Sequence, residues 1–402
     1  MIEKIPQGWR SSTIEECCNI LDAQRIPLNS EERAIRQGDY PYYGANGIQG
    51  YIDDFIFEGD AILVAEDGGN FDQYEDRPIA QWVTGKYWVN NHAHILRAKE
   101  NNLDKWIYYS LVHKNILNFI NGGTRAKLNQ SDLREIDVLL PPLPEQKKIA
   151  SILTSVEEVI ETTQKQIDKL RDLKKATMNE LLTKGVGHTE FKESKLGRIP
   201  KSWSTTKLDE CTMFIRDGTH GTHVRYNKGI PLLSAKNITA SGKLFWDEED
   251  SFISEADYNQ IHSRYTIEED DVLLTVVGTL GRVAVVSKDN DKFAVQRSVA
   301  IIRTDREQLI PGFCFQNFRG YDFQKQLVIR SNSTAQAGVY LGELGKIELS
   351  IPPLPEQKEI ASILTCIDKN LETKKEKLSQ TQFLKKSLMQ GLLTGKVRVK
   401  VN

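Results

Sequence analysis

Cysteine is scarce. Five occur in 402 residues: Cys17, Cys18, Cys211, Cys314 and Cys366. The number is odd, no Cys-x-x-Cys spacing occurs, and the adjacent pair cannot easily bridge itself, so a disulfide scaffold and a cysteine-rich zinc site are excluded. Long apolar runs are missing too. Nothing approaches the roughly 18 consecutive apolar residues of a membrane span, and the start, Met1-Ile2-Glu3-Lys4-Ile5-Pro6, lacks the apolar core of a signal peptide. The expected location is the cytoplasm, with no membrane partner. No charge of one sign dominates: 53 Lys and Arg stand against 55 Asp and Glu, net −2. Any surface for nucleic acid must therefore be a local patch. Signatures of catalysis are absent as well. There is no G-x-S-x-G elbow, Walker loop or H-E-x-x-H, and Gly278-Thr279-Leu280-Gly281 has no lysine after it.

What is present is the balance of a soluble globular chain, 39% hydrophobic and 27% charged, which excludes wholesale disorder. The length suits two or three domains, each with its own core. A tandem repeat organises it. Pro141-Pro142-Leu143-Pro144-Glu145-Gln146-Lys147-Lys148-Ile149-Ala150-Ser151-Ile152-Leu153-Thr154 recurs from Pro352 to Thr365, changed only at Lys148/Glu359. The same offset of 211 aligns Leu173-Lys174-Lys175 with Leu384-Lys385-Lys386, and Leu181-Leu182-Thr183 with Leu392-Leu393-Thr394. Each half also opens alike, Ile5-Pro6-Gln7-Gly8-Trp9 and Ile199-Pro200-Lys201-Ser202-Trp203. Between opening and proline motif the halves look unrelated. The expected domains are 1–143, 144–186, 187–354 and 355–397: two variable modules alternating with two near-identical helices.

Pro144 and Pro355 suit the first turn of a helix, where a missing N–H costs nothing, and the glutamate after each complements the positive helix end. Beyond them, apolar residues recur at alternating spacings of 4 and 3: Ile149, Leu153, Val156, Ile160, Ile167, Leu170 and Leu181 in one copy, Ile360, Leu364, Ile367, Leu371, Leu378, Leu388 and Leu392 in the other. Thr163, Lys174 and Thr177 interrupt the first seam, and Lys374, Thr381 and Lys385 the second. Some 40 residues make a rod of about 60 Å, too long for a compact domain and unable to bury its own seam. The expectation is an antiparallel coiled coil of the two rods, with a bundle shared with partner subunits as the alternative. An extended strand-to-helix junction explains Pro-Pro-Leu-Pro better than a polyproline ligand does.

The modules are expected to be mixed α/β (α+β). Ala61–Ala65, Ile79–Val83 and Asp137–Leu140 are short apolar runs between turn residues, hence strands, and Trp106 through Ile120 has helical spacing. In the second module Asp271–Val277 and Gly281–Val286 form a hairpin about Gly278-Thr279-Leu280, with Val299–Ile302 a further strand. Asp217, His220 and His223 fit no standard zinc spacing. The glycines around them would instead let backbone approach a phosphate or base edge. Arg, Asn and Gln match base edges, whereas Lys, Ser and Thr suit phosphates. The candidate DNA contacts are therefore Tyr43, Asn46, Thr124, Arg125 and Lys127 in the first module. In the second they are Asp217, Thr219, His220, Thr222, Arg225, Thr279, Arg297, Thr334 and Gln336. For any one of them a solvated loop is the plainer alternative, and Tyr42, Tyr43 and Trp82 suit a core or scaffold better than base stacking.

These motifs carry a resemblance over the whole chain. The twin Pro-Pro-Leu-Pro-Glu-Gln-Lys motifs, the Ile-Pro-x-x-Trp openings, Asp217-Gly218-Thr219-His220 and the glycine–asparagine stretch at 44–47 resemble the specificity subunit of type I restriction-modification systems. The resemblance implies that each module is a target-recognition domain reading one half of a split sequence in double-stranded DNA, and that the paired helices fix the spacer. It implies two modification subunits carrying S-adenosylmethionine and adenine methylation, restriction subunits for translocation and cleavage, and a specificity chain that is non-catalytic and binds no cofactor or metal. The absence of an Asn-Pro-Pro-Tyr or Asp-Pro-Pro-Tyr motif is in keeping with that. Because the two modules differ, the target should be asymmetric. One departure is His223, where the resembling motif has proline after Thr222; it leaves the path of that loop open. The competing classes are a self-contained nuclease or methyltransferase, and a coiled-coil scaffold without a DNA role.

Overall fold

The computed structural model describes residues 5–122, 126–331 and 338–401. The chain forms two compact units, Met1–Gln164 with Glu376–Asn402, and Lys165–Lys375. Each holds one variable module and a stretch of both long helices.

In the first unit the apolar run Ala61–Ala65 is buried at every position. It lies inside a four-stranded antiparallel sheet, in the order Cys18–Ile20, Ala93–Ala98, Ala61–Ala65, Ala80–Val83. A second sheet runs Gly47–Ile52, Gln37–Gly44, Lys86–Val89, Phe57–Glu58, with Tyr42 and Trp88 in parallel register. Arg10–Thr13 pairs with Asp137–Leu140, closing the module on its own ends. Helical spacing from Trp106 to Ile120 overstates the helix, which is Asp104–Leu111. Beyond it, Asn115 Oδ1 caps Leu117 N at 3.1 Å and a single turn Leu117–Phe119 leads into a short strand.

The second unit uses the same strand order without sequence likeness: Thr212–Asp217, Val299–Thr304, Val272–Thr275, Val283–Val285. A three-stranded sheet of Phe252–Ile253, Ile230–Leu233 and Ala294–Val295 lies beside it, again with one parallel pair. Ser204–Lys207 closes onto Glu348–Ile351 as its counterpart does in the first module.

Each proline motif starts a long helix. The central helix spans Leu143–Lys184 and the C-terminal helix Leu354–Leu393, 42 and 40 residues. Within each unit the two run antiparallel. In the first, Glu145 meets Arg398 at 2.8 Å and Glu157 meets Lys385 at 2.8 Å; in the second, Lys174 bonds Asp368 and Val186 N bonds Glu356 at 3.0 Å. Two of the lysines that interrupt the seam, Lys174 and Lys385, thus have opposed carboxylates, and the two ion pairs are one pair repeated at the offset of 211. A paired charge in an apolar seam favours one register over its neighbours. Thr163, another interruption, is buried.

The seam does more than join the rods. Ile149, Leu153, Leu388 and Leu392 enter the core of the first module together with Trp106 and Leu140. Ile360, Leu364 and Leu181 enter that of the second with Trp203 and Phe313. Ile167 and Leu371 are buried, and Val156, Ile160, Leu170, Ile367 and Leu378 are half-buried. Among the described residues no helix is long and apolar enough to cross a membrane.

The near-identical motif owes its composition to the junction it makes. Glu145 accepts Trp9 Nε1–H at 3.1 Å, and Glu356 accepts Trp203 Nε1–H at 3.0 Å and His188 Nε2–H at 2.8 Å. Gln146 accepts Leu103 N–H and donates to Pro141 O, both at 2.9 Å; Gln357 accepts Ile310 N–H at 2.9 Å and donates to Gln308 O and Pro352 O. The tryptophan that opens each module and the Glu-Gln pair that opens each helix are one latch, made twice.

Candidate nucleic-acid interface

In the first module four loops converge. Asn46 Nδ2 donates to Gly68 O at 2.8 Å, and Gln81 holds the carbonyls of Gly44 and Ala45 at 3.0 and 2.8 Å. Gly68 N bonds Ala126 O, and Leu128 N bonds Glu66 O at 2.7 Å. The result is a polar concavity lined by Arg33, Asn46, Gln49, Asp67, Asn90 and His92. Asn46 is exposed at it, and Lys127, also exposed, is bridged through its backbone to Asp67 in the lining, which places the two candidates on neighbouring loops. Tyr43 is half-buried with its ring edge-on to Tyr87 at 6.0 Å, and burial pushes its phenol pKa up. Its ring supports the turn. Thr124 and Arg125 lie outside the described residues.

A buried polar cluster fixes the base of the Lys127 segment. Asp22 Oδ1 accepts Ile95 N–H at 2.9 Å, and Oδ2 accepts from Gln130 at 2.9 Å and lies 2.6 Å from His94 Nδ1. His94 Nε2 donates to Leu128 O at 2.9 Å. Burial pushes the Asp22 carboxyl up, but its bonds to His94 and Gln130 outweigh that and hold it below the ordinary value. Asp22, Glu66 and His94 have ligand atoms close enough to share a cation. Here Arg25 at 2.8 Å and Lys127 at 3.3 Å face Glu66 and supply the positive charge themselves. Nothing in the sequence flagged Asp22 or His94, which stand 72 residues apart in no motif.

In the second module Thr219 N bonds Val295 O at 2.9 Å, Arg297 N bonds Thr219 O at 3.1 Å, and Val276 N bonds Ser298 O at 2.9 Å. Three segments, 217–219, 276–279 and 295–298, therefore share one edge, which brings together Asp217, Thr219, His220, Thr279 and Arg297. The close approach explains the glycine of the Asp-Gly-Thr-His motif: a Cβ on Gly218 would lie 2.0 Å from Val295 O. His220 Nε2 bonds Asp217 Oδ2. Thr279 sits in a turn framed by Gly278 and Gly281, both at φ +79°. Thr222, Arg225, Thr279 and Arg297 are exposed. Among the described residues their side chains take no hydrogen bond or ion pair, so their donors are unspent, as a phosphate- or base-contacting surface requires. Lys228, exposed on the same loop, is a further cation there that the sequence did not single out; its place directly before Gly229, at φ +140°, is the one signal for it. Thr334 and Gln336 lie outside the described residues. The departure at His223 has an outcome: its ring bridges Thr219 Oγ1 at 2.8 Å and Asp257 Oδ1 at 3.0 Å, so a side-chain clamp sets the loop's path.

Comparison with known proteins gives one answer. The family described as the type I restriction modification DNA specificity domain matches twice, at residues 6–172 and 200–381. The MjaX specificity subunit of a type I restriction enzyme from Methanocaldococcus jannaschii is 32% identical, over 99% of this chain and 96% of its own. The MjaVIII specificity subunit of the same organism is 28% identical over 99% and 95%. A type I specificity subunit from Haemophilus influenzae is 29% identical over 90% and 89%. Among solved structures, the type I restriction-modification S subunit of M. genitalium shares the fold with a TM-score of 0.65 at 15% identity, over 98% of this chain and 97% of that one. With two matched domains, two modules of one strand order and two unlike sets of loops, this chain belongs to the type I restriction-modification DNA specificity family.

Proposed function

We propose that each module reads one half of an asymmetric, bipartite DNA target of three to five base pairs per half, and that the paired helices set the spacer. One observation carries this: two modules built on the same sheet order present different polar loops, with Asn46 and Lys127 exposed in one and Arg225 and Arg297 exposed in the other. A common scaffold with different loops is what two unlike half-sites require. In this reading the chain carries out no chemistry of its own. Two modification subunits supply S-adenosylmethionine and adenine methylation, and restriction subunits join for cleavage. Support for two docking places comes from the repeat itself, since Leu173 and Leu384, at equivalent positions on the two helices, are 52% and 49% exposed.

Exchanging residues 1–143 for those of a relative, in the assembled complex, is expected to change one half of the methylated sequence and leave the other half and the spacer as they were. Mapping methylated adenines in a host carrying the hybrid reads this directly; a change in both halves would refute modular recognition.

A further inference from the structure

His223 is the one well-covered side chain in an otherwise exposed stretch. Residues 220–222 and 224–229 face solvent, whereas the His223 side chain is 10% exposed. Its ring has two polar partners. Nδ1 lies 3.0 Å from Asp257 Oδ1 and Nε2 lies 2.8 Å from Thr219 Oγ1. Asp257 is held in turn by Ser254, whose hydroxyl donates to Oδ2 at 2.6 Å and accepts Asp257 N–H at 3.1 Å. The bonds from Ser254 and His223 hold that carboxyl below its ordinary pKa, so it is an anion that accepts and the imidazole Nδ1 carries the hydrogen.

The consequence falls on Thr219. A hydroxyl has one hydrogen and two lone pairs. One lone pair is taken by Gly221 N–H at 3.1 Å. With a neutral imidazole, Nε2 is an acceptor and takes the hydroxyl hydrogen, leaving Thr219 one lone pair to offer. With an imidazolium, Nε2–H fills that lone pair and the hydroxyl hydrogen is turned outward. Thr219 lies at the edge shared with Arg297, among the unspent donors of the second module.

We propose that His223 is a specificity-determining positioning residue that sets the hydrogen-bonding sense of Thr219: acceptor toward DNA when the imidazole is neutral, donor when it is protonated. As an acceptor, Thr219 selects a base presenting an amino group, adenine or cytosine. As a donor, it favours guanine or thymine, which present O6 or O4 where adenine and cytosine carry the amino group. The charged group facing the ring is Asp257. The Asp217–His220 pair lies on the same loop, and on the helix Glu255–Ile261 the neighbouring Glu255 is engaged by Lys292 at 3.3 Å. The proposal rests on reading the second module as a recognition domain.

The test uses the full chain with its modification subunits and a bipartite DNA library randomised in the half-site of the second module. Thr219→Val and His223→Ala are each expected to alter base preference about tenfold at the same single position, with the double variant no worse than either. His223→Lys, which offers Thr219 only a donor, is expected to move that position toward guanine or thymine. His223→Gln, which keeps an acceptor for Thr219, should favour adenine or cytosine there. It also keeps the test alive if His223→Ala fails to fold. Weakening of every position in the half-site with the base ranking unchanged would reduce His223 to a structural prop, and a preference unaltered in all of these variants would equally overturn the proposal. If the wild type shows no preference in that half at all, the recognition reading fails first, and this one with it.

Discussion

Glu356→Ala is expected to lower the melting midpoint of the second unit by roughly 10 °C. The carboxylate gathers three donors on its two oxygens: Trp203 Nε1–H at 3.0 Å, His188 Nε2–H at 2.8 Å and Val186 N–H at 3.0 Å. Trp203 is fully buried, so removing the acceptor strands its N–H in the core. Breaking a buried, hydrogen-bonded charged cluster by deleting one member costs about 3–5 kcal/mol. At about 2–4 °C per kcal/mol for a unit of 150–250 residues, that is the shift given. Glu145→Ala should act on the first unit in the same direction with a smaller effect, because one of its two partners, Arg398, has a side chain 44% exposed and can return to water. Scanning calorimetry of both variants separates the two units; a shift below about 2 °C for Glu356→Ala would show that the latch is not what joins module to helix.

That latch marks where the sequence spoke clearly and where it did not. The duplicated motif announced helix starts at Pro144 and Pro355, and the 4–3 seam announced rods; both exist with nearly the expected bounds. The tryptophans were visible as module openings, yet nothing in a one-dimensional pattern says that Trp9 and Glu145, 136 residues apart, form one bond. The same limit hid the shared strand order of the modules. Sheet order is set by which apolar runs are buried on both faces, such as Ala61–Ala65 and Val299–Ile302, and unrelated sequences satisfy it equally well. The candidate site was named from residue types and loop positions alone. Its supports were not: His94, Asp22 and Asp257 are ordinary polar residues until folding brings a carbonyl or hydroxyl against them. Conversely, Lys174 and Lys385, which break the apolar seam in the sequence, are its ionic cross-links, since each has an opposed carboxylate.

Adding a heptad to each long helix, after Gln164 and after Lys377, is expected to lengthen the DNA spacer. Seven residues keep the seam in phase because its period is about 3.5. They add about 10 Å of rise, or about three base pairs at about 3.4 Å each. Binding to the original target should fall at least about a hundredfold, since losing a half-site of three pairs at about 1 kcal/mol or more each exceeds that factor. Three added pairs also turn one half-site by nearly a third of a helical turn of about 10.5 pairs. The new site is therefore expected to bind more weakly than the native one, but with both half-sequences unchanged. Selection from a library of variable spacers reads the outcome, and a spacer that stays at its original length would refute the role given to the helices.

The central claim, that this chain chooses the DNA sequence at which partner subunits act, is tested most directly by single-molecule sequencing of DNA from the source cell with and without its gene, reading every methylated adenine. Loss of one asymmetric, two-part motif together with the gene, and its return when the gene is restored, is the predicted result. A methylation pattern unchanged by deletion, in cells shown to express the modification subunits, would contradict it.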